Sequence, residues 1–196
     1  VALSSNKNIQ KQDGICIIPN AMVLNSSSTA KNQLYKKFLV KAIHFFISKN
    51  ETIYILNHSK NQDKAICDEI LKNFINEKIV FYIEIEDTID IKNFIGLRKF
   101  VLSSRYHGLV NALTQNVPAA SIGWSHKYNY LLKDYGQEDT MIDISKIDKM
   151  LSELERIYND GNLTERKIII SKNREIQISK VKAMWDVIKE HSNFNL

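Results

Sequence analysis

An arginine, three histidines and two lysines stand in this sequence where they could hold an anion or move a proton. Arg105 and His107 lie in "SSRYHG", His126 and Lys127 in "GWSHKYN", and His58 and Lys60 in "NHSKNQD". Arginine presents a planar fork of donors that grips a phosphate or carboxylate through paired hydrogen bonds. Lysine adds a compact charge, and histidine gives or takes a proton near neutral pH. Ser104 places a hydroxyl beside the arginine. Trp124 offers a ring that can stack on a sugar or base, or simply cover a sheet edge. Singly, each has a bland reading: Arg105 paired with a local acid, His107 packed under a loop, His58 bonded within its own loop, Lys127 solvated. Their shared placement is what points to chemistry.

That placement follows from the elements around them. Short, continuously apolar runs rich in β-branched residues occur at 15–19 (ICIIP), 52–56 (TIYIL), 79–85 (IVFYIEI), 99–103 (KFVLS) and 119–123 (AASIG). Such runs suit strands buried on both faces, as in a parallel sheet. Helical patterns separate them: 30–49, with Leu34, Phe38, Val40, Ile43, Phe45 and Phe46 on its apolar side, then 63–75, with Ile66, Ile70, Leu71 and Phe74. Shorter helices are expected at 88–96, 107–115 and 126–135. Strand and helix in alternation imply right-handed βαβ units and a doubly wound, Rossmann-like α/β domain. Ligands of such sheets sit beyond the carboxyl ends of the strands, where loops lead into helix N-termini that themselves favour anions. The cationic and titratable groups fall at those junctions, which predicts a basic rim for a phosphate or carboxylate. His44 falls mid-helix and reads as structural, and His191 lies in the tail.

The core is expected over about 14–143, with C-terminal helices over about 145–192, the first capped by Ser145 and ended by Gly161. The last segment reads as a long helix that packs back on the domain or across to a neighbour. Residues 1–196 then form a single domain, with no linker, repeat or low-complexity stretch. The N-terminus, lacking an initiating Met and a signal-peptide core, reads as the cut end of a longer protein.

Composition narrows the function classes. Hydrophobic residues make up 44% of the 196 and charged residues 25%, as in ordinary globular proteins. The net charge of +5 is spread along the chain, without the basic stripe or motif of a nucleic-acid binder. No apolar run approaches the roughly 20 residues a membrane span needs. A cytoplasmic protein is expected, meeting at most the inner face of a membrane. Cys16 and Cys67 fall within an apolar strand and a helix, and read as buried free thiols. No cluster has zinc-ligand spacing, so neither a metal nor a cofactor is expected.

The stretch "FVLSSRYHGLVNALTQNVPAASIGWSHKYNYLLKDYG" resembles the C-terminal half of the polysaccharide pyruvyl transferases. The resemblance rests on a strand followed by Ser-x-Arg-x-His and a small residue, then a helix containing alanine, a Val-Pro turn, a strand and a lysine. Here these are Ser104, Arg105, His107, Gly108, Ala112, Val117, Pro118 and Lys127. "YILNHS", ending near His58, is similar to a further strand of the family, and the likeness covers about 14–136. Tyr106 stands where the family often has leucine, and Asn116 where it usually has glycine.

The resemblance implies two Rossmann-like halves in a glycosyltransferase-B-like arrangement, of which the N-terminal one is absent from this chain. It also implies transfer of pyruvate from phosphoenolpyruvate to a sugar, free or lipid-linked, as a ketal. In that reading Arg105 and Lys127 hold the donor's anionic groups, with Ser104, Trp124 and His126 nearby. His107 is the general acid, and His58 is a second acid/base or an anion contact. A nucleotide-sugar glycosyltransferase of the same architecture is the alternative, with Asp134 in "YLLKDYG" as a candidate for the donor ribose. A domain that only binds an anionic glycan is a third reading.

Overall fold

The computed structural model describes residues 13–25, 29–123, 125–143 and 147–191. Five strands, β1 (Asp13–Ile18), β2 (Ile53–Asn57), β3 (Val80–Glu84), β4 (Arg98–Ser103) and β5 (Ala119–Ser121), form one parallel sheet in the order β3-β2-β1-β4-β5. Each matches one of the apolar runs. Alternation along β1 sends Ile15 and Ile17 to one face and Cys16 and Ile18 to the other, all fully buried. Both faces are therefore covered, as continuous apolar strands require.

The helices are α1 (Met22–Asn25), α2 (Thr29–Ser48), α3 (Asn61–Leu71), α4 (Thr88–Gly96), α5 (Tyr106–Thr114), α6 (His126–Asp134), α7 (Ile147–Tyr158) and α8 (Asp160–His191). Helices α2, α3 and α7 cover the Ile15 face. Helices α4, α5, α6 and the first half of α8 cover the Cys16 face. The buried stripe of α2 is Tyr35, Phe38, Leu39, Ala42, Ile43 and Phe46. The expected stripe caught Phe38, Ile43 and Phe46 but missed Tyr35, Leu39 and Ala42. Tyrosine and alanine at helical spacing enter the core because close packing rewards shape as well as hydrophobicity.

At the tail, Gly161 does not end the preceding helix; it lies in the first turn of α8. Asn159 separates the two helices and accepts a hydrogen bond from the Gly161 N–H at 3.1 Å, so an asparagine cap starts a helix where a glycine stop was expected. Ser145 lies outside the described residues. Helix α8 packs back on the domain through Leu163, Arg166 and Ile170, and its side chains are exposed from Ile178 to Glu190. Cys16 and Cys67 are free and buried, and burial pushes the Cys67 thiol up to about 12, so both act as packing groups. Among the described residues no helix is long and apolar enough to cross a membrane.

Candidate functional site

The strand order reverses direction between β1 and β4, and the loops that leave their carboxyl ends meet there. Pro19 to Ala21 follows β1, His58 to Lys60 follows β2, and Ser104 and Arg105 follow β4. Hydrogen bonds tie the first and third of these loops together. The Asn20 side-chain amide donates to the Ser104 carbonyl at 2.9 Å, and the Tyr128 hydroxyl donates to the same oxygen at 2.8 Å. Tyr35 accepts from the Asn20 N–H and donates to the Ser104 hydroxyl at 2.7 Å. Ser104 is thus fully buried, holding the loop from beneath.

Arg105 is held as firmly. Its Nε donates to Asp63 Oδ2 at 2.7 Å and its Nη2 to Asp63 Oδ1 at 2.5 Å, a two-point grip between the β4–α5 loop and the first turn of α3. The Ala21 N–H donates to the same Oδ1 at 2.9 Å, which brings in the β1 loop. Asp63 is 0% exposed and the Arg105 side chain 17%. The local-acid reading of Arg105 is therefore realised, although the acid lies 42 positions away in sequence. The guanidinium keeps a solvent-facing part, while Nε and Nη2 serve the fold.

Gly108 has a packing reason. A β-carbon there would come within 2.7 Å of Ile18 Cδ1 and 2.8 Å of Ser103 Oγ, so the glycine lets α5 close onto β1 and β4. Asn116 has φ 60, in the left-handed region that glycine and asparagine tolerate best, which explains why either residue suits the position. Lys60 has φ 41, an unusual conformation for lysine, in the loop that carries His58.

The two histidines singled out for proton transfer line one cavity of about 340 Å³, together with Thr88, Ile91 and Asn111. His58 is partly buried, and among the described residues its Nε2 is buried with no hydrogen-bond partner. Burial, then the Arg105 charge, holds its imidazolium pKa below the usual histidine value, and His107 adds to the same effect. His107 is exposed at the start of α5. Thr88 and Ile91 come from α4, the junction after β3 that carries no cationic group. Asp63, Thr88 and Asn111 were the residues missed in sequence. Only Asp63 had a signal there, an acid among the first residues after the His58 loop.

Lys127 reaches toward the same helix start. Its Nζ sits over the Tyr106 ring, 4.8 Å from the centroid, while Tyr106 meets Tyr128 edge-on at 5.6 Å. His126 is exposed at the first position of α6. Asp134 lies at the opposite end of α6, about 12 Å along the axis from His126, away from the strand carboxyl ends. Trp124 lies outside the described residues. A larger cavity, about 530 Å³, lies between α2 and α7 beside Phe45, Lys49 and Tyr158. It is at the amino-terminal end of the sheet, so we place the candidate site at the smaller cavity, where the sheet topology and the histidines coincide.

Fold and site together define a Rossmann-like sheet with a titratable, partly apolar cavity at its topological switch point. The sequence model of the polysaccharide pyruvyl transferase family matches residues 2–126, more than half of the chain, and the chain belongs to that family. No curated protein matches the sequence. Among solved structures, the chain is similar to one titled as a GtfA/B complex (TM-score 0.58, 12% identity, 94% of this chain and 37% of that one). It is similar to an O-GlcNAc transferase of Thermobaculum terrenum (0.56, 9%, 85% and 32%). It is also similar to TarM of S. aureus, solved with fondaparinux, α-GlcNAc-glycerol and UDP (0.54, 17%, 92% and 35%). At these identities the likeness is one of fold, that of the GT-B glycosyltransferases. The chain spans about a third of the length of these three structures.

Proposed function

We propose that the protein to which this chain belongs transfers pyruvate from phosphoenolpyruvate to a sugar hydroxyl pair, forming a ketal, and that this domain holds the donor. The observation that carries the reading is the convergence of His58 and His107 on one cavity beside Arg105, within the segment matched by the family.

Phosphoenolpyruvate presents a phosphate and a carboxylate. Lys127 and the solvent-facing part of Arg105 supply positive charge, and the starts of α5 and α6 supply backbone N–H groups. With Arg105 already neutralised by Asp63, the larger share of ligand charge compensation falls to Lys127. His107, exposed at the cavity, delivers a proton to the methylene carbon, which leaves oxocarbenium character at the carbon bearing the phosphate. A sugar hydroxyl attacks that carbon, phosphate departs, and a second hydroxyl closes the ketal. The acceptor is a sugar of a surface polysaccharide, free or lipid-linked, and a lipid-linked acceptor would bring the protein to the inner face of the membrane. None of these steps calls for a metal or an organic cofactor.

The test is calorimetric titration of the chain with phosphoenolpyruvate and, separately, with UDP and GDP. Phosphoenolpyruvate binding that weakens several-fold in Lys127→Ala, and by less in His107→Asn, supports the reading. Binding of a nucleotide alone would replace it with the nucleotide-sugar glycosyltransferase. The position of Asp134, at the wrong end of α6 for a donor ribose, weighs against that alternative.

A further inference from the structure

We propose that the cavity between α4 and α5 seats the acceptor sugar, with Asn111 and Thr88 binding its hydroxyls and Ile91 its C–H face, and that the donor's anionic groups lie outside it. The inference rests on the pyruvyl-transfer reading for the sugar's role as acceptor, and it divides the candidate site into a neutral part and a charged part.

His58, Thr88, Ile91, His107 and Asn111 line the space of about 340 Å³, and no lysine, arginine, aspartate or glutamate is among them. An ionised phosphate or carboxylate moved into such a space loses its water without gaining a fixed countercharge. The cations of the region are placed elsewhere. Arg105 is gripped by Asp63, and Lys127 lies over the Tyr106 ring. What the walls offer is one apolar side chain and two neutral groups that both donate and accept hydrogen bonds. An apolar pocket with a few convergent neutral polar groups suits an uncharged ligand with an apolar face and a hydroxylated edge. A pyranose ring has both.

The fold leaves those two polar groups free. Asp87 caps α4, accepting from the Ile89 and Asp90 N–H groups at 2.7 and 3.0 Å, so the Thr88 hydroxyl has no capping task. Asn111 stands in the middle of α5, where asparagine is a poorer helix former than alanine, and is half-buried. Neither side chain hydrogen-bonds to another described residue.

Helical spacing aims them together. Thr88 and Ile91 are three apart on α4, and His107 and Asn111 four apart on α5. Each pair therefore shares a face, about 4.5 and 6 Å long on the two axes, the scale of one six-membered ring. The helices are fastened side by side, Gln115 Nε2 donating to the Lys92 carbonyl at 2.7 Å. His107, one turn before Asn111 and exposed, lies where the neutral cavity meets the anion-favouring start of α5. A sugar hydroxyl in the cavity and a donor at the helix start meet beside it.

The probes are neutral methyl pyranosides of the gluco, galacto and manno series, titrated into the ¹⁵N-labelled chain, with Asn111→Ala identifying the Asn111 side-chain amide signals. At least one pyranoside should shift those signals at millimolar concentration. Thr88→Val, which keeps the shape and removes the hydroxyl, and Asn111→Ala should each weaken its binding about fivefold, as loss of one neutral hydrogen bond does. Phosphoenolpyruvate affinity, read by calorimetry, should stay within about twofold of the parent chain in both variants. Failure of every pyranoside to shift the Asn111 amide would overturn the inference. So would an approximately tenfold loss of phosphoenolpyruvate affinity in either variant, which would give the cavity to the donor. Uridine shifting the amide where no pyranoside does would give it to a nucleoside. If a pyranoside shifted the amide while phosphoenolpyruvate failed to bind, the sugar site would stand and the donor reading would fall.

Discussion

Two arginine–aspartate clusters in this domain share their chemistry and differ in what surrounds them. In one, a single arginine grips Asp63, which is 0% exposed and also receives the Ala21 N–H. In the other, Arg166 and Arg156 both donate to Asp139, which is 50% exposed, and Arg166 also donates to the Gln137 side chain. The first joins the loops after β1 and β4 to the start of α3, beside the candidate cavity. The second fastens α7 and α8 to the segment after α6. Exposure decides what each is worth. A buried pair is expensive to break because one charge is left without water or partner, whereas a solvent-screened pair contributes little. Pair type alone therefore says nothing about role; the same two residue types join loops beside the candidate cavity in one place and form a strap in the other.

The sharpest way to break this comparison is Asp63→Ala. It strands the Arg105 guanidinium and the Ala21 N–H, and we expect a loss of about 3 kcal/mol in urea denaturation, with phosphoenolpyruvate binding lost as the loops separate. If stability fell by less than 1 kcal/mol, as is usual for exposed pairs, the two clusters would be equivalent.

Gly108→Ala comes next. It pushes α5 away from Ile18 and Ser103 without touching a charge. A loss of about 1–2 kcal/mol is expected from overpacking. It should be accompanied by weaker ligand binding, because Arg105 and His107 ride on the same helix start. Unchanged binding would show that the site tolerates movement of α5.

Asp139→Asn probes the strap. Arg166 first, and Arg156 after it, hold the Asp139 carboxyl down at about 2, well below the usual aspartate value, with burial opposing. Stability from this pair is complete above about pH 4, near the unfolded aspartate value, and drains away as pH falls toward 2. Allowing for solvent screening, Asp139→Asn should cost about 1 kcal/mol at pH 7, and the difference from the parent chain should vanish near pH 2. Thermal melts across that range would show it, and a difference that persisted at pH 2 would point to packing.

The smallest effect on stability is expected for Lys127→Ala, an exposed residue whose replacement should stay within about 0.5 kcal/mol. Its weight is in binding. A chain with an unchanged melting temperature and several-fold weaker phosphoenolpyruvate affinity would separate ligand charge from structural charge.

Much of this architecture was legible in the sequence because local pattern encodes it. The five strands were visible as apolar runs, since a strand covered on both faces has no polar alternation to blur it. The junctions that carry His58, Arg105, His107 and Lys127 were visible because strands and helices alternate. The buried thiols and the approximate span of the last helix were equally local features. What the sequence could not show is which residues those junctions bring together. The Arg105–Asp63 grip, the Tyr35–Ser104 bond and the meeting of His58 with His107 depend on β1 lying between β2 and β4. That order is settled by how the crossovers pack on the sheet, a long-range matter that no local period records. The sequence by itself determined the elements and the residue types at their ends. Tertiary structure alone decided that the arginine would be neutralised by a buried aspartate, that Ser104 would face inward, and that His58 and His107 would line one cavity. The reason is physical: secondary structure follows from neighbours along the chain, whereas burial and pairing follow from neighbours in space.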